Sequence, residues 1–98
     1  MQAAVTAIRA AGASSQYILI PGSTWSHGSA LPNEAGPALA QVTDSVGGTD
    51  KLVFDVHQYL DSDGSGQSTT CTTDNTAVMS TLYSWLQSVG NRKAVRVC

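Results

Sequence analysis

The stretch that most constrains the fold is Lys51-Leu-Val-Phe-Asp-Val-His-Gln-Tyr-Leu-Asp61. It opens as a short run, Leu52 to Val56, rich in β-branched and aromatic residues, and this predicts a buried strand. Past Val56 the character changes. His57, Tyr59 and Asp61 follow at alternating positions and would share one side if extended geometry continued. Folds built from parallel strands place their chemistry where such strands end in polar, titratable groups. His57 and Tyr59 therefore read either as site residues or as hydrogen-bonded residues of a rim.

The rest of the chain alternates helix and strand around that segment. Met1 to Ala11 is predicted as a helix, with Val5 and Ile8 among its packing residues and Gly12 as its stop. Tyr17 to Ile20 reads as a short strand ended by Pro21-Gly22, and a long loop carrying Trp25 and His27 runs on to Asn33. A second helix is expected from Glu34 to about Ser45, with Pro37 in its first turn and Gly47-Gly48 at its end. After the Leu52 strand comes a Ser/Thr/Gly/Asp loop, Asp61 to Thr73. Asp74 is expected to cap a third helix reaching about Val89, with Val78, Leu82, Trp85, Leu86 and Val89 on one face. Gly90-Asn91 stops it, and Ala94 to Val97 begins a third strand.

Strands separated by helices imply parallel pairing, hence an α/β fold of three units. Three parallel strands leave two open edges and one uncovered face, which parallel sheets seldom tolerate. The 98 residues therefore read as one segment of a larger barrel or sheet. Alternatively, the edges pair with a second copy of the chain.

Composition narrows the partners. Charged residues are 12% of the chain and the net charge is −2, without a basic cluster, which argues against nucleic acid. No run approaches the roughly 20 apolar residues of a membrane span. The amino end lacks the pattern of a signal peptide and is expected to belong to the fold. A surface rich in Ser, Thr, Gly and Gln suits neutral polymers such as polysaccharides. Trp25, just beyond a strand, reads either as a cap on the core or as a stacking platform for a sugar ring.

Other motifs carry less. Asp61-Ser-Asp-Gly-Ser-Gly66 resembles the opening of a calcium loop, but the twelfth position holds Thr72 instead of Glu, so a turn-rich surface loop is expected. His27 and His57 have no ligand-spaced Cys or carboxylate partners, so no metal site and no cofactor is expected. No Gly-x-Ser-x-Gly elbow is present.

Several stretches together resemble the fungal endo-β-1,4-glucanases of glycoside hydrolase family 5. They are Ala7-Ile-Arg-Ala-Ala-Gly-Ala13, Ile18-Leu-Ile-Pro-Gly22 with Trp25, Asp55-Val-His-Gln-Tyr-Leu-Asp-Ser-Asp63, Cys71-Thr-Thr-Asp-Asn75, and Trp85-Leu86 through Asn91-Arg92. The similarity runs from about Gln2 to Val95. It implies a (β/α)8 TIM barrel, of which residues 1–98 would be a single partial segment from roughly the fourth helix to the start of the seventh strand. It also implies a secreted hydrolase acting on cellulose or mixed-linkage β-glucan. His57 and Tyr59 match the family's active-site His-x-Tyr, Trp25 matches a glucan-contacting aromatic, and the Asp61 to Thr73 loop would border the cleft.

Family members hydrolyse with retention, using two glutamates about 5 Å apart. Here Glu34 is the single glutamate, after the second predicted element, and Cys98 falls near the position of the family nucleophile. Neither family glutamate is matched. The carboxyl candidates near His57 and Tyr59 are then Asp61, Asp63 and Asp55, with Glu34 more remote. A non-catalytic, glucan-binding or self-assembling remnant is the alternative reading. Cys71 matches a family cysteine whose partner would lie past this sequence, leaving it free or bridged to Cys98 within or between chains.

Overall fold

The computed structural model describes residues 1–44, 48–90 and 92–97. Its elements are helix α1 (Gln2–Ala10), strand β1 (Ile18–Pro21), a short left-handed turn (Thr24–Ser26), helix α2 (Gly36–Leu39), strand β2 (Leu52–His57), helix α3 (Thr76–Ser88) and strand β3 (Lys93–Val97). The strands form one parallel sheet in the order β1-β2-β3. Ile18 pairs with Leu52 at one end of the first ladder and Pro21 with Asp55 at the other. The second ladder runs from Val53 opposite Lys93 to His57 opposite Val97.

The two faces of this sheet differ sharply. Along β1 and β2 the residues alternate between buried and more accessible, because successive side chains point to opposite faces. Ile18, Ile20, Leu52, Phe54 and Val56 point into the core, where Val5 of α1 and Leu82 and Leu86 of α3 meet them. The other face, with Leu19 at 51% exposure, carries none of the described helices. The core thus lies between the sheet and its helices, and the opposite face is bare. The slab this makes measures 44 × 26 × 19 Å, with a radius of gyration of 14.4 Å. A compact domain of this length would be nearer 13 Å.

Helix α3 follows the expected stripe at Leu82, Trp85 and Leu86, while Met79, and not Val78, packs on the core at its amino end. Leu82 and Leu86 are buried, and Trp85 packs its ring 5.5 Å from that of Phe54. Its cap differs from expectation: Asn75, in left-handed conformation, precedes the helix, while Asp74 Oδ1 accepts the Thr76 N–H at 3.0 Å. Arg92 is 6% exposed, stacks 4.8 Å from the Phe54 ring centroid and donates to the Ala40 carbonyl.

Helix α2 is a single turn, far shorter than the predicted Glu34–Ser45. From Gln41 the backbone closes tighter three-residue turns, Gln41 N–H to Ala38 O and Val42 N–H to Leu39 O. Val42 then enters the core, and the backbone of Thr43 bonds both ways with the Gln2 side chain. Arg9 and Asp44 close this tie with a two-pronged ion pair at 2.7 and 2.8 Å. Docking on α1 outweighs the helix preference of the Ala-rich segment, a tertiary override of a weak local propensity. The predicted end of this helix at Ser45 and Gly47 lies outside the described residues, as does Cys98.

Candidate functional site

The carboxyl ends of β1 and β2 frame an open groove of about 590 Å³. Its lining comes from two loops and a strand end: Thr24, Trp25 and His27 after β1, His57 and Tyr59 at β2, and Asp63, Gly64, Ser65 and Gln67 beyond. The β1 loop is fixed to the strand end by a parallel bridge between His27 and His57, with the Gly28 N–H donating to the His57 carbonyl at 3.3 Å. A side chain at Gly28 would meet the ends of the Gln58 and Met79 side chains at 2.9 Å, so either would have to shift to admit one.

Trp25 is 89% exposed. It is not among the residues packed on the core of this segment, and its flat indole face stands at the groove. The backbone holding it is unusual: Thr24, Trp25 and Ser26 have φ of 50°, 51° and 58°. Each residue other than glycine costs roughly 1–2 kcal/mol in this left-handed region, and such strain collects at functional sites. Local bonds oppose that cost. Buried Ser26 accepts the Gly22 N–H through Oγ at 2.6 Å, while Ser23 and Thr24 donate their hydroxyls to Glu34 Oε2, each at 2.6 Å. Those donors, Ser23 first and then Thr24, hold the Glu34 carboxyl below its ordinary range.

His57 projects from the bare face of the sheet, and its Nε2 lies 3.1 Å from Asp55 Oδ2, two residues earlier on the same face. Asp55 Oδ1 is buried and has no hydrogen-bond partner among the described residues. His27 places Nδ1 2.9 Å from Ser29 Oγ. Tyr59 has its carbonyl tied to Asn75 Nδ2 at 2.8 Å, and its ring lies against Gly66, where a side chain would stand 2.7 Å from it. The strand ends at His57, yet Tyr59 still lines the groove beside it, so the expected alternation holds as far as Tyr59 and fails at Asp61.

Asp61 accordingly turns away from the groove and is 4% exposed. Its two carboxylate oxygens accept the Gly66 N–H, the Ser68 N–H and the Ser65 hydroxyl. Burial by itself would raise its pKa. The backbone donors of Gly66 and Ser68, aided by Ser65, outweigh burial, and the net shift is downward. Asp61 is therefore the internal brace of the loop, not a groove carboxyl. Glu34 is likewise outside the lining, engaged by Ser23 and Thr24. Asp63 is the one acidic side chain that lines the groove among the described residues. A retaining pair needs two carboxyls about 5–5.5 Å apart, which this lining does not supply.

The structure thus gathers Trp25, His57, Tyr59 and Asp63, leaves Asp55 behind His57, and removes Asp61 and Glu34 to structural tasks. His27, Thr24 and Gln67 were not singled out in the sequence as groove residues. Their signal was weak: His27 lies two residues from Trp25, and Gln67 sits inside the loop expected to border a cleft. No group of three or more His, Cys, Asp and Glu side chains that would hold a metal ion occurs among the described residues. Cys71 is exposed and unbridged among them.

A family profile described as "Cellulase (glycosyl hydrolase family 5)" matches residues 1–95. The chain belongs to glycosyl hydrolase family 5. Within that family it is 60% identical over 95 residues to the manganese dependent endoglucanase Eg5A of Phanerodontia chrysosporium, covering 97% of this chain and 24% of the relative. Endoglucanase EG-II of Hypocrea jecorina is 48% identical over 97 residues, covering 97% and 23%. The crystal structure of Cel5A (EG2) from Hypocrea jecorina superposes with a TM-score of 0.88 over 95% of this chain and 29% of that one, at 48% identity. XacCel5A, solved in complex with cellopentaose, gives 0.78 over 95% and 30%, at 31% identity. This family 5 chain spans about a quarter of the length of the curated relatives it matches. Its fold is a set of consecutive βα units of the family's (β/α)8 barrel. The bare face of the sheet corresponds to the inside of such a barrel, and the groove lies at the carboxyl ends of its strands.

Proposed function

We propose that this chain forms one side of the substrate cleft of an endo-β-1,4-glucanase that hydrolyses β-1,4-glucosidic bonds in cellulose or mixed-linkage β-glucan. The observation that carries the reading is Trp25, 89% exposed and held in a strained turn at the groove that His57 and Tyr59 line. An indole face flanked by hydrogen-bonding groups suits a pyranose, whose axial C–H surface stacks while its equatorial hydroxyls find donors and acceptors. Trp25 would hold a glucosyl unit, with His57 and Tyr59 bonding near the scissile linkage. In family 5 chemistry His57 would help orient groups around the acid/base carboxyl, and the Tyr59 hydroxyl would bond the nucleophile. Asp55 would fix the His57 ring through Nε2. No cofactor enters this reading.

The relatives are endoglucanases by name, which supports the reaction class. A substrate that is an insoluble polymer supports action outside the cell. Residues 1–98 act in this reading as one partial barrel segment. With Asp63 the one acidic side chain on the groove among the described residues, a second reading is favoured for the chain by itself: it binds glucan without cleaving it. A third outcome is self-assembly through the open edges of β1 and β3.

The test is reducing-sugar release from β-glucan by the parent, His57→Ala and Tyr59→Phe, together with cellopentaose binding by the parent and Trp25→Ala. Turnover by the parent that falls at least a hundredfold in both variants supports the hydrolase reading at the level expected for site residues. Absent turnover with cellopentaose binding that weakens about tenfold in Trp25→Ala supports the binding-only reading. Absence of both removes glucan as the ligand of this groove.

A further inference from the structure

The left-handed turn that presents Trp25 needs an external support, and the structure points to one residue for it. Three successive L-residues at positive φ relax towards right-handed or extended backbone unless bonds hold them. The exit of the turn is secured from within, where the hydroxyl of buried Ser26 accepts the Gly22 N–H. The entrance is secured from outside. Ser23 and Thr24 both send their hydroxyls to the same oxygen, Oε2 of Glu34, eleven and ten residues further along.

Glu34 stands on firm ground for this task. Its own N–H donates to the Ala30 carbonyl at 2.9 Å, and the Gly36 N–H bonds the carbonyl of Leu31. Ala30 and Leu31 are buried at 8% and 1% exposure, so the turn carrying the carboxylate is anchored in the core. We propose that Glu34 is a positioning residue, whose carboxylate clamps Ser23 and Thr24 and thereby keeps the Trp25 ring projected at the groove for a β-1,4-glucan chain. The substrate in this statement rests on the reading of Trp25 given above; the clamp rests on the turn. A carboxylate suits the role because one ionised oxygen accepts two hydroxyls at once, and charge-assisted bonds are about twice as strong as neutral ones. Glu34 is not part of the groove lining. Its effect passes entirely through the turn.

The test uses the full chain with Glu34→Ala, Glu34→Gln and the double variant Ser23→Ala/Thr24→Val. The readouts are cellopentaose affinity and the heteronuclear NOE of the Trp25 and Trp85 indole N–H groups. Glu34→Ala is expected to weaken cellopentaose binding about tenfold and to mobilise the Trp25 indole, while the buried-side Trp85 indole stays as in the parent and the unfolding midpoint falls only by what two exposed hydrogen bonds contribute. Glu34→Gln, which keeps an acceptor oxygen, is expected to stay within about threefold of the parent. The double variant should match Glu34→Ala, and combining the two should add nothing further, because both remove the same bonds. An unchanged Trp25 indole in Glu34→Ala overturns the clamp. So does a shift of both indoles together with the midpoint, which would mark a general structural role. Failure of the parent to bind cellopentaose overturns the glucan reading alone, since the indole NOE decides the clamp without any ligand.

Discussion

Carboxylates show how differently one residue type is used within a short chain. Asp63 lines the groove, Asp55 stands behind His57, Glu34 bonds two hydroxyls beside it, and Asp61 sits inside its own loop. The Asp61 environment makes a prediction about acid. Its pKa is depressed in the folded protein from an ordinary value of 3.8, so the charged form is favoured by folding. That contribution is present in full above about pH 4 and is lost as pH falls through the lowered folded value. Glu34, depressed from 4.5, acts in the same direction. Asp61→Asn is expected to unfold at a lower temperature near neutral pH, because its amide N–H2 would face the donors that now reach a carboxylate oxygen. Its stability should also fall less steeply below pH 4 than that of the parent. Thermal unfolding followed by circular dichroism across pH 2.5–7 (a range of roughly this width) checks both; an equally steep acid limb would remove Asp61 as its source.

At the scale of elements, α2 is where local preference and tertiary packing disagree. Gly36 starts the helix at a point where a Cβ would stand 2.1 Å from the Leu31 carbonyl oxygen and 2.8 Å from the Trp85 ring. The ring of Trp85 in turn contacts Phe54 across the core. Three elements therefore meet over one missing side chain. Gly36→Ala is expected to destabilise the protein by about 1–3 kcal/mol through overpacking, despite alanine's better helix propensity. Trp85 would be displaced, so its emission should move to longer wavelength together with a lower denaturation midpoint. A neutral or stabilised variant would show that the helix start can shift to make room. Helix α3 presents the opposite case, since Leu82 and Leu86 occupy the core as their spacing requires.

At the scale of the molecule, the sheet is covered on one face only. Leu19 at 51% and Val95 at 39% exposure lie in an apolar surface that solvent would normally not meet. In the barrel of family 5 that surface faces inward. With the 98 residues alone, association of bare faces and open edges is expected. Leu19→Lys should reduce the mass measured by light scattering at high concentration, because a charge on that face opposes pairing. A parent that stays monomeric at every concentration would dispose of the self-assembly reading. The same geometry explains why His57 and Asp55 meet: both point from this face, and nothing between them separates Nε2 from the carboxylate.

What the sequence determined by itself is the alternation of helix and strand, the parallel class, the buried run ending at His57, and the stripe of α3. These depend on periodicities of 3.6 and 2, which are local properties of the chain. The matching stretches around His57, Tyr59 and Trp25 also made the family legible. Only the tertiary structure decided the rest. Whether Trp25 caps the core or faces solvent depended on a left-handed turn that no propensity favours at Thr24-Trp25-Ser26. Whether Asp61 lies in the groove or in the loop depended on the Gly66 and Ser68 N–H groups that the loop turns back onto its carboxylate. Glu34 reaches Ser23 and Thr24 only because the chain returns on itself over ten residues. The physical reason is common to these cases: a polar side chain takes the partners that folding brings within about 3 Å, and those partners are set by contacts distant in sequence.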